Sequence, residues 1–172
     1  MRKQIIASAI LVCLVMVLAP LAVFAEDAPV KKYGEVEGTY MKPFSLPAPL
    51  EDNKVYASDR FAGKPTLITF IQSACRICQM EVTELNEKYG SIKDTVNVVA
   101  IMLDVDAGRI SRYQEAFKMP YLVLHDANAE VAGSVGISSS PATLLLSKDG
   151  LILKRVSGYN EDMLKQVLAA AK

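Results

Sequence analysis

The stretch Thr66-Leu67-Ile68-Thr69-Phe70-Ile71-Gln72-Ser73-Ala74-Cys75-Arg76-Ile77-Cys78 decides the fold. Its first six residues are apolar or β-branched and do not alternate with charge, the pattern of a strand covered on both faces. Gly63-Lys64-Pro65 opens it and Ser73 ends it. Two cysteines separated by two residues follow at once. From Cys75 to Tyr89 the residues Ile77, Met80 or Glu81, Leu85 and Tyr89 recur every three or four positions, which predicts a helix. Ser73 is placed to cap its start, and Gly90 stands where a glycine just past a helix end would.

Working outward, the pattern predicts strands over residues 96–103, 121–124, 142–147 and 151–156, the last two joined by the turn Lys148-Asp149-Gly150. Helices are predicted over 109–117, stopped near Pro120, over 129–135, and over 161–171 at the end of the chain. Upstream, Phe44-Ser45-Leu46 reads as extended, Pro47 and Pro49 interrupt it, and residues 54–57 form a second short strand, so a small hairpin precedes the main unit. Strand and helix alternate, then comes a hairpin, then a helix. That is an α/β fold with a central sheet. Met80, Met102 and Met119 are read as core fillers.

Composition narrows the function. Among 172 residues, 19 basic side chains balance 19 acidic ones, so nothing in the charge points to nucleic acid or an anionic membrane surface. Three cysteines and one histidine leave little material for a structural zinc cage, which normally needs four such ligands. With 9 glycines, 8 prolines and 51% hydrophobic residues, the chain is neither disordered nor collagen-like.

Much of the apolar content lies at one end. Arg2 and Lys3 precede an apolar run over residues 5–24, interrupted by Ser8 and Pro20, and Val23-Phe24-Ala25 leads into Glu26 and Asp27. This predicts a secretory signal over 1–25, cleaved after Ala25. An uncleaved membrane anchor is the alternative, because about 20 apolar residues can span a bilayer. Cys13 lies inside the run, after Val12, and is read neither as a lipid attachment site nor as a functional thiol. Residues 26–43, with Lys31 and Lys32, have no sustained period and read as a loosely ordered lead-in to a domain over 44–172. Both readings export that domain, so a disulfide between Cys75 and Cys78 is the first expectation.

Two residues between cysteines at the first turn of a helix bring the sulfurs within bonding range. The free amides of that turn favour a thiolate on the first cysteine. A purely structural bridge would close a loop too short to restrict the unfolded chain much. A metal site finds no further Cys or second His to complete it. The pair is therefore read as redox-active. Lone His125, beside Asp126, is read as a loop or strand-end residue.

From about Phe44 onward the chain resembles the thioredoxin superfamily, and within it the exported TlpA/ResA-like thiol-disulfide oxidoreductases with a redoxin or AhpC-TSA-like domain. The resemblance rests on Phe44-Ser45-Leu46, the Gly63-Lys64-Pro65 entry and strand before the cysteine pair, Glu81 three residues after Cys78, and Val123-Leu124-His125-Asp126. It continues through Val135-Gly136-Ile137, Ser140-Pro141-Ala142-Thr143, Lys148-Asp149-Gly150 and Gly158. It implies a central mixed sheet flanked by helices, with the hairpin as an N-terminal extension. It also implies a cis Ser140-Pro141 bond beside the disulfide, where the backbone pairs with a substrate chain, and links Glu81 to proton transfer at the buried Cys78. A surface acid near a helix start is the other reading of Glu81.

The resemblance further implies protein thiols and disulfides as partners, a membrane-bound redox partner, no cofactor, a periplasmic location, and apocytochrome c thiols as one substrate class. The chain departs from the family at Ala74, where a tryptophan is usual, at Thr83, where a proline is common, and in the pair Arg76-Ile77. Arg76 favours the thiolate and so a more oxidising disulfide. Proteins with this motif span about −270 to −120 mV, and one exposed charge supplies a fraction of that range. Two alternatives remain at this stage. A thiol peroxidase typically has Thr three residues before its reactive cysteine, where this chain has Gln72. A metallochaperone would use both thiolates and His125.

Overall fold

In a computed structural model, residues 31–160 and 162–169 are described. The predicted signal segment, Cys13, the first residues of the lead-in, and both ends predicted for the last helix lie outside them.

All six residues of the decisive run, β3 (Thr66–Ile71), are buried. β3 takes the middle of a five-stranded sheet. To follow the chain, β1 is Ser45–Ala48, β2 Lys54–Ala57, α1 Arg76–Ile92, β4 Asn97–Met102, α2 Ala107–Phe117, β5 Leu122–His125, α3 Glu130–Ser134, β6 Ala142–Leu146, β7 Ile152–Ser157 and α4 Met163–Ala169. The sheet order is β5-β4-β3-β6-β7. β3 and β5 run parallel to β4, while β6 runs antiparallel to both β3 and β7. The mixed sheet flanked by helices is the architecture that the resemblance implies.

Because successive strand residues face opposite sides, β3 feeds two cores. Leu67 and Ile71 join Val82 and Leu85 of α1, Ile110 of α2, and Leu164 and Val167 of α4. Ile68 and Phe70 join Leu46 and Tyr56 of the β1–β2 hairpin, Val131 and Ala132 of α3, and Ile152 of β7. The hairpin turns through Asp52 and Asn53, both at positive φ (51° and 57°), a conformation these residue types tolerate. Pro47 lies inside β1 rather than ending it; in a two-stranded sheet every strand is an edge and a missing donor is tolerated.

The structure corrects three local expectations. Cys75, not Ser73, is the N-cap of α1, with its Sγ accepting from the Cys78 amide. Gly90 does not end the helix, which runs on to Ile92 because that side chain extends the buried face one heptad beyond Leu85. Met80 is 52% exposed, whereas Met102 and Met119 are buried as expected.

The described lead-in is more ordered than its lack of periodicity suggests. Met41 N donates to Gly150 O, Ile152 N donates to Thr39 O, and Gly38 N donates to Ile152 O, so backbone pairing lays this segment against the β6–β7 turn. The Arg155 guanidinium donates to the carbonyls of Glu35, Val135 and Gly136, which ties lead-in, α3 and β7 together. No helix among the described residues is long and apolar enough to cross a membrane.

Candidate active site

β3 ends at Ile71, and four residues later Cys75 caps the first turn of α1. That short link holds Cys75 at the helix N-terminus, half-buried, with Cys78 one turn in and wholly buried. The two are joined by a disulfide, with their Cα atoms 5.2 Å apart. Cys75 Sγ lies 3.1 Å from the Cys78 amide nitrogen, one of the donors at a helix start that no carbonyl can satisfy. In the reduced protein that amide and the helix dipole favour a thiolate on Cys75.

The Ser140-Pro141 peptide is cis, and the Ser140 carbonyl oxygen stands 3.8 Å from Cys75 Sγ. Ser140 Oγ donates to Gln72 Oε1 at 3.0 Å, linking this loop to the one before the cysteines. An open cleft of about 560 Å³ adjoins Cys75, lined by Gln72, Ala74, Leu103, Asp104, Val105, Asp106 and Arg109. Of these Val105 is a strongly exposed apolar side chain, and Ile77 and Met80 are exposed on α1.

Glu81 is 3% exposed, which removes the surface-acid reading. Its Oε1 accepts from Thr69 Oγ1 and Thr143 Oγ1, each at 2.6 Å. These threonines are cross-strand partners of β3 and β6, each a polar residue inside a buried strand. Burial pushes the Glu81 carboxyl above its ordinary value; the two hydroxyls oppose that rise and the charge of Glu84 adds to it. A carboxyl held in this way keeps its proton to a higher pH than an exposed one.

The raised proton affinity has a stability consequence. Folded Glu81 holds its proton at pH values where the unfolded residue has released it, so this contribution is complete below about 4.5 and is lost as pH rises through the folded pKa. Glu81→Gln is expected to flatten that decline. Urea unfolding of the oxidised protein at a series of pH values from 4 upward measures it, and parallel curves for both proteins would remove the argument.

Other polar residues brace the site. Ser73 N and Oγ both donate to the Asp104 carboxylate, and His125 Nε2 lies 2.7 Å from the Asp104 carbonyl oxygen. His125 thus holds a loop, as the sequence suggested, and Asp126 accepts from the amides of Glu130 and Ala132 at the start of α3. The structure therefore brings together Cys75, Cys78, Ser140 and Pro141, with Glu81 buried one turn beyond Cys78 on α1. Sequence reasoning missed Thr69, Thr143 and Asp104. The signal for the first two was a threonine in each of two buried strands.

Comparison with known proteins agrees with this geometry. The chain is 25% identical over 124 residues to thiol-disulfide oxidoreductase ResA of Bacillus thuringiensis subsp. konkukian, covering 69% of this chain and 71% of that protein. It is 27% identical over 135 residues to thiol:disulfide interchange protein DsbE of Vibrio cholerae, covering 78% and 72%. Its fold is similar to that of the thioredoxin domain of a thiol-disulfide oxidoreductase from Bacteroides vulgatus, with a TM-score of 0.71 at 18% identity, covering 80% of this chain and 99% of that one. The AhpC/TSA family pattern matches residues 38–155, a span that holds the hairpin, the cysteine pair, Glu81 and Pro141. The chain belongs to the AhpC/TSA family, as a thiol-disulfide oxidoreductase on a thioredoxin-like fold.

Proposed function

We propose that the chain is an exported enzyme that exchanges disulfides with protein substrates, with Cys75 as nucleophile and Cys78 as the resolving thiol. The observation that carries this assignment is the asymmetry of the pair: Cys75 borders a cleft at the helix N-terminus, and Cys78 is wholly buried, one helical turn from the buried Glu81. In the reducing direction, the Cys75 thiolate attacks a substrate disulfide and one substrate sulfur leaves as a thiolate. Glu81 takes the proton of Cys78. The Cys78 thiolate then attacks Cys75 Sγ, the second substrate sulfur leaves with its electron pair, and the Cys75–Cys78 disulfide is restored. The backbone of Ser140, beside the sulfur, is the docking edge for an extended substrate segment.

The positive start and apolar run of residues 1–25 support export to the periplasm. A membrane-bound partner that resets the pair, and apocytochrome c thiols as substrate, complete the reading. Gln72, whose side chain is engaged by Ser140, occupies the position at which a peroxidase would place its threonine.

Equilibrating the protein with a series of thiol buffers tests the reading. A reversible two-electron transition between about −270 and −120 mV is expected, whereas a pair that resists reduction below about −300 mV is structural. Faster exchange with a disulfide-bonded Cys-x-x-Cys-His peptide than with an unrelated peptide disulfide supports the apocytochrome assignment, and equal rates remove it.

A further inference from the structure

Three buried polar atoms on the side of the sheet that carries Cys78 make no hydrogen bond within the described residues: Glu81 Oε2, Tyr113 Oη and Tyr121 Oη. The side chains that carry them are all more than nine-tenths buried, and the two tyrosines share a core cluster with Cys78. Aromatic contacts fix both rings: Tyr113 stacks on Phe117 at 4.4 Å between centroids, and Tyr121 tilts against Tyr89 at 5.6 Å. Leaving such groups unpaired costs about 1–3 kcal/mol each. A buried water satisfies two to four polar partners at once, and these three oxygens offer it two donors and a carboxylate acceptor.

We propose that Tyr113 and Tyr121 are positioning residues for Glu81: their phenols, bridged by internal water, donate to its second carboxylate oxygen and so set the pH above which it can take the proton of Cys78. This rests on the assignment of Glu81 as the base for Cys78. Thr69 and Thr143 already engage Oε1, so the phenols govern the oxygen that the strands leave free. Thr69, which holds Glu81, shares the face of β3 with Leu67 and Ile71 of that same cluster, so carboxyl and phenols lie in one buried layer between the sheet and its helices. Burial pushes both phenols up, Tyr113 to about 12, and the Glu81 charge adds to each. Around this centre the other charged groups that act are Glu84 on the same helix, which raises Glu81, and Asp104 after β4, which raises Tyr113. Asp104 also lines the cleft beside Cys75, so the polar cluster extends from the buried sulfur towards solvent.

A phenol that donates to a carboxylate stabilises the anion. Tyr113→Phe combined with Tyr121→Phe keeps both rings and removes both donors, so the Glu81 pKa is expected to rise by about one unit, a tenfold tighter hold on the proton. Carbon-13 NMR titration of labelled glutamate in the oxidised protein reads this directly, without any exchange reaction. An unchanged midpoint overturns the proposal, because loss of packing alone moves stability and not this titration. In the unaltered protein the Cζ resonances of Tyr113 and Tyr121 should shift with the Glu81 midpoint, and flat resonances overturn it too. That measurement stands even where the double variant folds poorly. The pH profile of mixed-disulfide resolution should move with the pKa in the variant. If the link between phenol and carboxylate is found but the profile stays put, the proposal fails through its premise that Glu81 is the base. If the link is absent while the profile still follows Glu81, the proposal fails and the base assignment survives.

Discussion

Cys78→Ser, produced in exported form, is expected to accumulate mixed disulfides with its partners, and Cys75→Ser is not. The difference follows from where the fold puts two chemically identical side chains. Attack on a partner needs a thiolate that a second protein can reach, and Cys75 has both the helix N-terminus and an adjoining cleft. Cys78 is wholly buried, so it can reach only the sulfur of Cys75. Without Cys78 the first exchange proceeds and the second cannot, which leaves the partner covalently attached. Turnover should be lost in both variants. Non-reducing gels of the exported fraction distinguish the outcomes: equal trapping by the two variants, or trapping by neither, overturns the assigned roles. A merely structural bridge predicts lowered stability and no adducts.

Phe70→Ala is expected to cost about 3–5 kcal/mol of folding stability. Phe70 is wholly buried in the central strand, in a cluster with the hairpin residues Leu46 and Tyr56, Ile101 of β4 and Leu144 of β6. Those neighbours belong to two hydrogen-bonded sheets and cannot collapse into the space left by a phenyl ring. Set against a total of about 5–15 kcal/mol for a domain of this kind, the loss brings it close to unfolding at ambient temperature. Urea unfolding with an unchanged slope and a lower midpoint is the expected result. A loss below about 1 kcal/mol would mean that the hairpin packs independently of the sheet.

β3 was legible because a strand covered on both faces is apolar or β-branched at every position, and the glycine, proline and serine around this run limit it to strand length. The cysteine pair was legible from spacing alone. Its neighbours on α1 were not. Periodicity left Met80 and Glu81 as rival inward positions, and hydrophobicity favours the methionine. The fold reverses this: Glu81 turns inward because Thr69 and Thr143, distant in sequence and paired across two strands, offer it hydroxyl donors. Ile77 and Met80 face outward. The lead-in was illegible for a different reason. Its order comes from isolated backbone hydrogen bonds to the β6–β7 turn, and such bonds impose no side-chain period. Pro141 was singled out through the resemblance rather than through any local pattern.

The hydrogen bonds of Asp104 have a mechanical consequence. Its carboxylate holds the amide and hydroxyl of Ser73, two residues before Cys75, while its carbonyl oxygen is held by His125 at the end of β5. Val105, next in the chain, is the most exposed large apolar residue beside the cleft. The cleft wall at Asp104 and Val105 is thus pinned at two points, to the loop that leads into Cys75 and to the end of the outer strand, so its position relative to the disulfide is set by hydrogen bonds rather than by the loop's own conformation.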